Sequence, residues 1–119
     1  MDFERKRIRL AAEHYKGRGR YFLTFCCESR RQVFRDPVAA VWLLRRLREI
    51  ADADLFLLHA WCLMPDHLHI LIEGLSEKCA ALAFAAKFKQ MTGYEGKPMT
   101  GANIWQGRFY DHILRTQES

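Results

Sequence analysis

The stretch LFLLHAWCLMPDHLHILIE, residues 55–73, has the pattern of two strands joined by a tight turn. Leu55–Leu63 is an almost continuous apolar run, which is typical of a buried strand. Met64–Asp66 contains a Pro-Asp pair that favours a turn, and His67–Glu73 then alternates between polar and apolar side chains. This segment therefore predicts an antiparallel hairpin, around which the other elements can be arranged.

The second strand of this hairpin carries a His-Leu-His sequence. Because side chains alternate between the two faces of a strand, His67 and His69 would share one face with Leu71. The opposite, core-facing set would be Leu68, Ile70 and Ile72. Two imidazoles roughly 6–7 Å apart along a strand can share one metal ion, and the candidates for a third ligand are Asp66, His59 and His112. The same pattern also fits two polar residues on a solvent-facing sheet surface, and the spacing alone leaves both interpretations open.

Upstream of the hairpin, the sequence predicts one strand and one helix. Arg20–Ser29 is rich in aromatic and small apolar residues and is predicted to be a strand. Asp36 is a suitable N-cap and Pro37 suits a first turn, so we predict a helix that ends near Asp52. The apolar stripe of this helix is predicted to comprise Val41, Leu44, Leu47 and Ile50.

Downstream of the hairpin, a second helix and a last strand are predicted. Ser76 is the expected N-cap of the helix, and Gly93 is the expected terminator. Residues 94–103 (YEGKPMTGAN) then form a predicted loop before a strand over Ile104–Arg115, in which Gly107 would mark a bulge.

The predicted order of elements is β-α-β-β-α-β. Such a chain most simply forms one antiparallel sheet with both helices on one face, an α+β sandwich of the ferredoxin-like type. The other face of the sheet is left free to bind a ligand. With 119 residues, of which 50% are hydrophobic, we expect a single domain over residues 1–119.

Composition limits the environment and the partners of the protein. No apolar run approaches the roughly 20 residues that a membrane-spanning helix needs, and the charged N-terminus lacks the apolar segment of a secretory signal. The four cysteines lack a C-x-x-C spacing, which favours free thiols in a cytoplasmic protein. The net charge is +5, and residues 1–35 hold ten of the 19 basic residues against four acidic ones, which suggests a polyanionic partner such as nucleic acid.

Several segments in this order resemble the HUH-type single-tyrosine transposases, specifically the REP-associated tyrosine transposases. The specific part is the MPDHxH motif after a hydrophobic strand, and the Trp-Gln and Asp-x-x-x-Arg positions of the last segment add to it. The resembling segments are YFLTF (21–25), HAWCLMPDHLHILIE (59–73), KFKQMTG (87–93) and NIWQGRFYDHILR (103–115).

The resemblance implies a ferredoxin-like domain that binds single-stranded DNA beside a hairpin. It implies that His67 and His69 hold a divalent ion, Mg²⁺ or Mn²⁺, which polarises the scissile phosphate while a tyrosine attacks and forms a 5′-phosphotyrosine. In the family this tyrosine lies just beyond the strand that matches Trp105–Arg115, in a Tyr-Ile-x-x-Asn-Pro segment. Since the chain stops at Ser119, we expect both the nucleophile and the asparagine ligand to be missing. Tyr110 is a poor substitute and is expected to be an ordinary strand residue.

In the same context, basic side chains are candidates for phosphate contacts and one tryptophan is a candidate for base stacking. These DNA-binding candidates are Arg18, Arg20, Arg30, Arg31, Lys87, Lys89, Trp105, Arg108 and Arg115. The leading hypothesis is a transposase that nicks and joins single-stranded DNA, as a monomer or a homodimer. The alternatives are a catalytically inactive hairpin-binding relative and a ferredoxin-like protein that binds a metal or a small ligand.

Overall fold

A computed structural model describes residues 16–107 and, for the backbone alone, residues 112–115. The six predicted elements occur in the predicted order. They are β1 (Arg20–Cys26), α1 (Pro37–Ala53), β2 (Phe56–Met64), β3 (His67–Gly74), α2 (Ala81–Thr100) and β4 (His112–Arg115). The predicted α+β fold with an antiparallel sheet and two helices is confirmed.

The four strands form one sheet in the order β2-β3-β1-β4. The strand pairings within the described residues are antiparallel. β3 is hydrogen-bonded to β2 in the predicted hairpin and to β1 on its other side. Among the described strands β2 lies at an edge of the sheet, and a β-bulge at His59 shifts its register between Leu58 and Ala60. At the other edge, Thr24 of β1 pairs with His112 of β4.

The core lies between one face of the sheet and the two helices. Leu68, Ile70 and Ile72 are fully buried, as the alternation of β3 predicted. They join Tyr21, Leu23 and Phe25 of β1 and the apolar sides of both helices in one cluster. Burial of this continuous apolar face drives the assembly of the sandwich and leaves the opposite face of the sheet accessible.

Helix α1 begins as predicted, but its buried stripe differs from the prediction. The side chain of Asp36 accepts a hydrogen bond from the Val38 amide at 3.0 Å, and Pro37 occupies the first turn. Val41, predicted to face the core, is 64% exposed. Leu47 and Ile50 are buried as predicted, and Ala39, Leu43 and Ala51 complete the buried stripe in place of Val41 and Leu44. Both sets follow the helical period, so periodicity alone could not place the edge of the stripe.

The predicted bounds of α2 are wrong at both ends. The Ser76 hydroxyl accepts a hydrogen bond from the Lys78 amide in a turn that precedes the helix, and α2 begins only at Ala81. The helix continues through Gly93 to Thr100, and the capping residue Gly101, with a φ of 86°, donates its amide to the Lys97 carbonyl. The predicted loop over residues 94–103 is therefore mostly helix.

The remaining bounds differ by a few residues. The first strand ends at Cys26 and is followed by a 3-10 turn over Glu28–Arg30, rather than running to Ser29. Within the predicted last strand over Ile104–Arg115, the described strand is β4, and Trp105 forms an isolated bridge with Cys27. Arg108 and Tyr110 lie outside the described residues, and the side chain of Arg115 is not described.

Two further predictions concern thiols and membranes. All four cysteines are free thiols, as predicted, and burial raises the pKa of Cys27 to about 11. Within the described residues, neither helix has the length and apolarity of a membrane span.

Candidate functional site

The accessible face of the sheet places His67 and His69 side by side in the middle of the molecule. In β3 they are flanked by β2 on one side and β1 on the other. One row across the sheet is Met64, His67 and Cys26, and the next is Cys62, His69, Thr24 and His112. The two rings meet edge to face, with centroids 4.7 Å apart. The predicted pair on the face opposite the core is therefore present.

His67 is oriented by the turn residue that precedes it. Its Nδ1 lies 2.7 Å from Oδ1 of Asp66, and the other carboxylate oxygen accepts hydrogen bonds from the Arg30 guanidinium at 2.9 Å. The hydrogen bond with His67, followed by that of Arg30, holds the pKa of Asp66 below its usual value. The ionised carboxylate thus fixes the imidazole and is itself fixed by an arginine.

His69 is oriented from the neighbouring strand. Its Nδ1 lies 2.9 Å from the Thr24 hydroxyl, and its ring stacks on Phe22 with centroids 5.7 Å apart and planes inclined by 12°. Burial, with a smaller contribution from His67, lowers the pKa of His69. The neutral imidazole, which is the form that ligates metals, is therefore favoured.

Both imidazoles are held through Nδ1, and in the described ranges neither Nε2 atom has a hydrogen bond. A histidine held through one ring nitrogen by a carboxylate or hydroxyl presents the other nitrogen to a metal, which is the usual outer-shell arrangement of metal sites. The donor set fits two ligands of a divalent ion. Over residues 16–107, however, no group of three histidine, cysteine or acidic side chains is placed to hold a metal.

The three candidates for a third ligand have different positions. His59 is bonded through Nε2 to Glu73 at 2.7 Å and lies three residues, or about 10 Å along β2, from the partner of His69. It is therefore separate from the pair. Both carboxylate oxygens of Asp66 already have partners. The backbone of His112 pairs with Thr24, one strand beyond His69, and its side chain is not described.

The predicted DNA-binding arginines and lysines lie on different surfaces. Arg30 lies beside the histidine pair through Asp66, and Arg20 lies on the same face of β1, 3.7 Å from Glu73. Arg31 donates to the Asn103 carbonyl, and Arg18 is exposed in the turn before β1. Lys87, paired with Asp54 at 2.7 Å, and Lys89 belong to α2, on the other side of the sheet. The two lysines are therefore remote from the histidine face.

Trp105 is a core residue, contrary to the prediction that it stacks on a base. It is 7% exposed, and its indole Nε1 donates to the Thr92 hydroxyl at 2.9 Å. Its ring packs against Phe25, Phe34 and Phe88. A nucleobase has no access to this ring in the folded protein, because the aromatic cluster already covers it.

The sequence prediction missed Phe22 and Thr24, which orient His69. Alternation along β1 would have placed both residues on one face, since Tyr21, Leu23 and Phe25 are the obvious apolar set. It could not have brought Thr24 opposite His69, because that depends on the register between β1 and β3, two strands separated by a helix and another strand.

Comparison with known proteins relates this chain to transposases. A family model described as "Transposase IS200 like" matches residues 16–114. A REP-associated tyrosine transposase, solved bound to a REP hairpin, has a TM-score of 0.64 and 23% identity, covering 87% of this chain and 60% of that one. The chain thus spans about three-fifths of that structure.

Two further relatives match most of the chain. A crystal structure from Deinococcus radiodurans R1, of a protein assigned as a transposase, has a TM-score of 0.58 and 26% identity, covering 85% of this chain and 81% of that one. An uncharacterized protein of Haemophilus influenzae is 22% identical, covering 97% of this chain and 81% of the relative. Like these relatives, the family model over residues 16–114 covers nearly all of the described residues.

Proposed function

The chain belongs to the IS200-like transposase family, and from this we propose that it binds a DNA hairpin with a single-stranded flank on the histidine face. We further propose that His67 and His69 are two ligands of a divalent ion, Mg²⁺ or Mn²⁺, at the scissile phosphate. The reaction would be the nicking and joining of single-stranded DNA. The observation that carries the proposal is the orientation of both imidazoles through Nδ1, by Asp66 and Thr24.

The chemistry assigned to this face follows from its charges and hydrogen bonds. A bound divalent ion would act as a Lewis acid on a phosphate oxygen and offset the charge that develops during displacement. Asp66 and Thr24 keep the two Nε2 atoms in place, which limits the reorganisation needed at the moment of reaction. Arg20 and Arg30 add positive charge on the side from which the phosphate backbone would approach.

The tyrosines with described side chains are poor nucleophiles for this site. Tyr21 is fully buried on the core side of β1, where its hydroxyl donates to the Gly17 carbonyl. Tyr94 is 82% exposed but belongs to α2, on the opposite side of the sheet from His67 and His69. We therefore assign DNA binding and phosphate activation to the described residues. Neither Tyr21 nor Tyr94 is assigned as the nucleophile.

The test is a paired gel experiment with a labelled DNA hairpin that carries a single-stranded flank, in the presence of Mn²⁺. We expect a shifted band on the native gel, and calorimetry should detect Mn²⁺ binding that the double variant His67→Ala with His69→Ala abolishes. The matched control is Gln90→Ala with Lys78→Ala, which removes two exposed side chains, one on α2 and one in the turn that precedes it.

Each possible result separates the competing hypotheses. A covalent adduct that survives the denaturing gel supports the nicking and joining reaction. A native shift without an adduct supports the hairpin-binding alternative, in which strand cleavage does not occur. Absence of a shift at physiological salt, with intact metal binding, would refute the DNA proposal and favour a metal-binding protein. Unchanged Mn²⁺ affinity in the histidine variant would refute the metal site.

A further inference from the structure

A groove separate from the histidine face lies between α1 and β2. Its volume is about 320 Å³, large enough for one nucleobase, and it is lined by Arg48 and Asp52 of α1 and by residues 57–61 of β2. It opens at the edge of the sheet, because within the described ranges β2 pairs with β3 alone. None of its lining residues belongs to the proposed metal site.

The bulge in β2 shapes this groove and presents an aromatic ring to it. After the register shift at His59, Trp61 pairs with Ile70, whose side chain is in the core. Cross-strand partners share a face, so Trp61 lies on the side of the sheet that the helices cover. Nevertheless, Trp61 is 45% exposed. The indole is thus an accessible wall of the groove, unlike the buried Trp105.

The charged groups on the opposite wall have no partners among the described residues. In the described part of the structure, Arg48 and Asp52 make no hydrogen bond or ion pair, although they are four residues apart on one helix. Nearby charges behave differently, since Arg46 is bonded to Glu49 and Glu95. An unengaged guanidinium, an unengaged carboxylate and an exposed indole therefore surround one small groove.

We propose that this groove binds one unpaired nucleotide of the single-stranded flank. The base stacks on Trp61, Arg48 contacts the adjacent phosphate, and Asp52 accepts a hydrogen bond from an exocyclic amino group. This inference rests on the proposed function. It adds a preference for cytosine, adenine or guanine over thymine, because thymine has no exocyclic amino group.

The two unengaged charges favour a nucleotide over a second copy of the chain as the occupant. An edge strand with exposed apolar residues is also suited to pairing between copies. Such an interface would bury Arg48 and Asp52, and each buried charge would need a new partner to offset its desolvation. A nucleotide supplies both partners, a phosphate for the arginine and an amino group for the carboxylate.

Binding is measured by fluorescence anisotropy with two labelled hairpins, one blunt and one with a four-nucleotide flank of deoxycytidine. We expect Trp61→Ala and Arg48→Gln each to weaken binding of the flanked hairpin by about tenfold and to leave the blunt hairpin unchanged. Trp61→Phe, which keeps a stacking surface, should retain most of the affinity. Arg45→Gln on the same helix is the matched control, because it too is an exposed arginine of α1.

Base preference gives an independent measure of the same groove. The wild-type protein should bind a deoxycytidine flank several-fold more tightly than a thymidine flank, and Asp52→Ala should remove this difference. Free deoxycytidine monophosphate is titrated into the protein while tryptophan fluorescence is measured. A change in the Trp61 signal shows that the groove accepts a nucleotide that is not part of a flank. Quenching that is lost in Trp61→Phe supports the same assignment.

These measurements distinguish an error in the nucleotide-groove proposal from an error in the proposed DNA-hairpin binding. If the wild-type protein binds both hairpins and the Trp61 and Arg48 variants bind the flanked one equally well, the groove proposal is wrong and hairpin binding stands. If the wild-type protein binds neither hairpin and deoxycytidine monophosphate leaves its fluorescence unchanged, both proposals are wrong. A Trp61 signal that depends on protein concentration rather than nucleotide would show an interface between copies and overturn the proposal.

Discussion

At the scale of single residues, the histidine pair depends on side chains that the pair itself does not reveal. The His-Leu-His spacing predicted that both imidazoles share a face, and the structure places their ring centroids 4.7 Å apart. The sequence could not identify Thr24 as a partner of His69, because the two residues are 45 positions apart and meet only through strand pairing. The orientation of each imidazole therefore depends on tertiary contacts, although the local sequence determines which face of the strand it occupies.

The Thr24 hydroxyl provides a test of that orientation. Thr24→Val keeps the shape and the strand preference of the side chain but removes the hydrogen bond to Nδ1 of His69. Loss of an outer-shell partner lowers metal affinity by about 10–100-fold in known sites, and we expect a loss in that range for Mn²⁺ by calorimetry. Thr100→Val, the same change at the end of α2, is the control. Equal Mn²⁺ affinity in wild type and Thr24→Val would contradict this role.

Glu73 lies on the histidine face, and its lowered pKa predicts that the stability of the fold depends on pH. The hydrogen bond with His59, followed by the charge of Arg20, lowers the pKa of Glu73 from its usual 4.5. Because the folded-state pKa is below the unfolded one, the folded protein binds fewer protons in that window. This contribution is present above pH 4.5 and is lost as the pH falls through the folded-state value.

Urea unfolding of Glu73→Gln at several pH values measures this contribution. We expect the variant to be less stable than the wild type near neutral pH, with a difference that shrinks progressively below pH 4.5. Glu77→Gln is the control, because Glu77 makes no ion pair with any residue in the described ranges. A difference for Glu73→Gln that grows on acidification would show that the sign is wrong.

At the scale of elements, the glycines of α2 explain why sequence rules misplaced its end. Gly93 was predicted to terminate the helix, but it lies within α2, where tertiary packing overrides its low helix propensity. The residue that ends the helix is Gly101, which has the left-handed conformation that favours glycine. A single sequence contains several plausible terminators, and only the packing of α2 against its neighbours selects one.

Two substitutions distinguish the roles of glycines within the helix. A Cβ added at Gly96 would lie 2.7 Å from Ile104 and 2.8 Å from Trp42, whereas at Gly93 its nearest neighbour, Trp105, is 3.8 Å away. Gly93→Ala should stabilise the fold by about 0.5–1 kcal/mol through helix propensity. Gly96→Ala should destabilise it, because overpacking costs about 1–3 kcal/mol and the contacted side chains pack in the core.

Thermal or urea unfolding of the two alanine variants gives the comparison directly, with each serving as the control of the other. Both changes have the same intrinsic effect on helix propensity, so their difference isolates the close approach at Gly96. Equal stabilities for the two variants would mean that α2 can shift away from Ile104 and Trp42 without cost.

At the scale of the whole molecule, the sequence predicted the order of elements and the two-faced sheet, but not the surface features that depend on register. Hydrophobic alternation in β3 and the apolar run of β2 were sufficient to identify the hairpin and its core side. The bulge at His59, the accessible position of Trp61 and the burial of Trp105 follow from how strands and helices meet. No local pattern distinguishes a core tryptophan from an exposed one.

The placement of basic residues on the two sides of the sheet predicts which of them make salt-sensitive contacts with DNA. Arg20 and Arg30 lie on the histidine face, whereas Lys87 and Lys89 lie on α2, on the other side of the sheet. Each phosphate contact contributes about 0.9 to the slope of log affinity against log salt on duplex DNA. Replacing both arginines by glutamine should therefore weaken hairpin binding and reduce the slope by about 1.8.

The matched double variant, Lys87→Gln with Lys89→Gln, removes the same net charge from α2. Since the helical layer is separated from the histidine face by the whole sheet, we expect its slope and its affinity to remain close to the wild-type values. Anisotropy titrations of the hairpin from about 50 to 200 mM salt, a range over which such contacts change affinity strongly, measure both quantities. If the lysine variant lost as much slope as the arginine variant, the DNA would contact α2 as well as the histidine face, or would respond only to net charge. The histidine face would then no longer be the preferred binding surface.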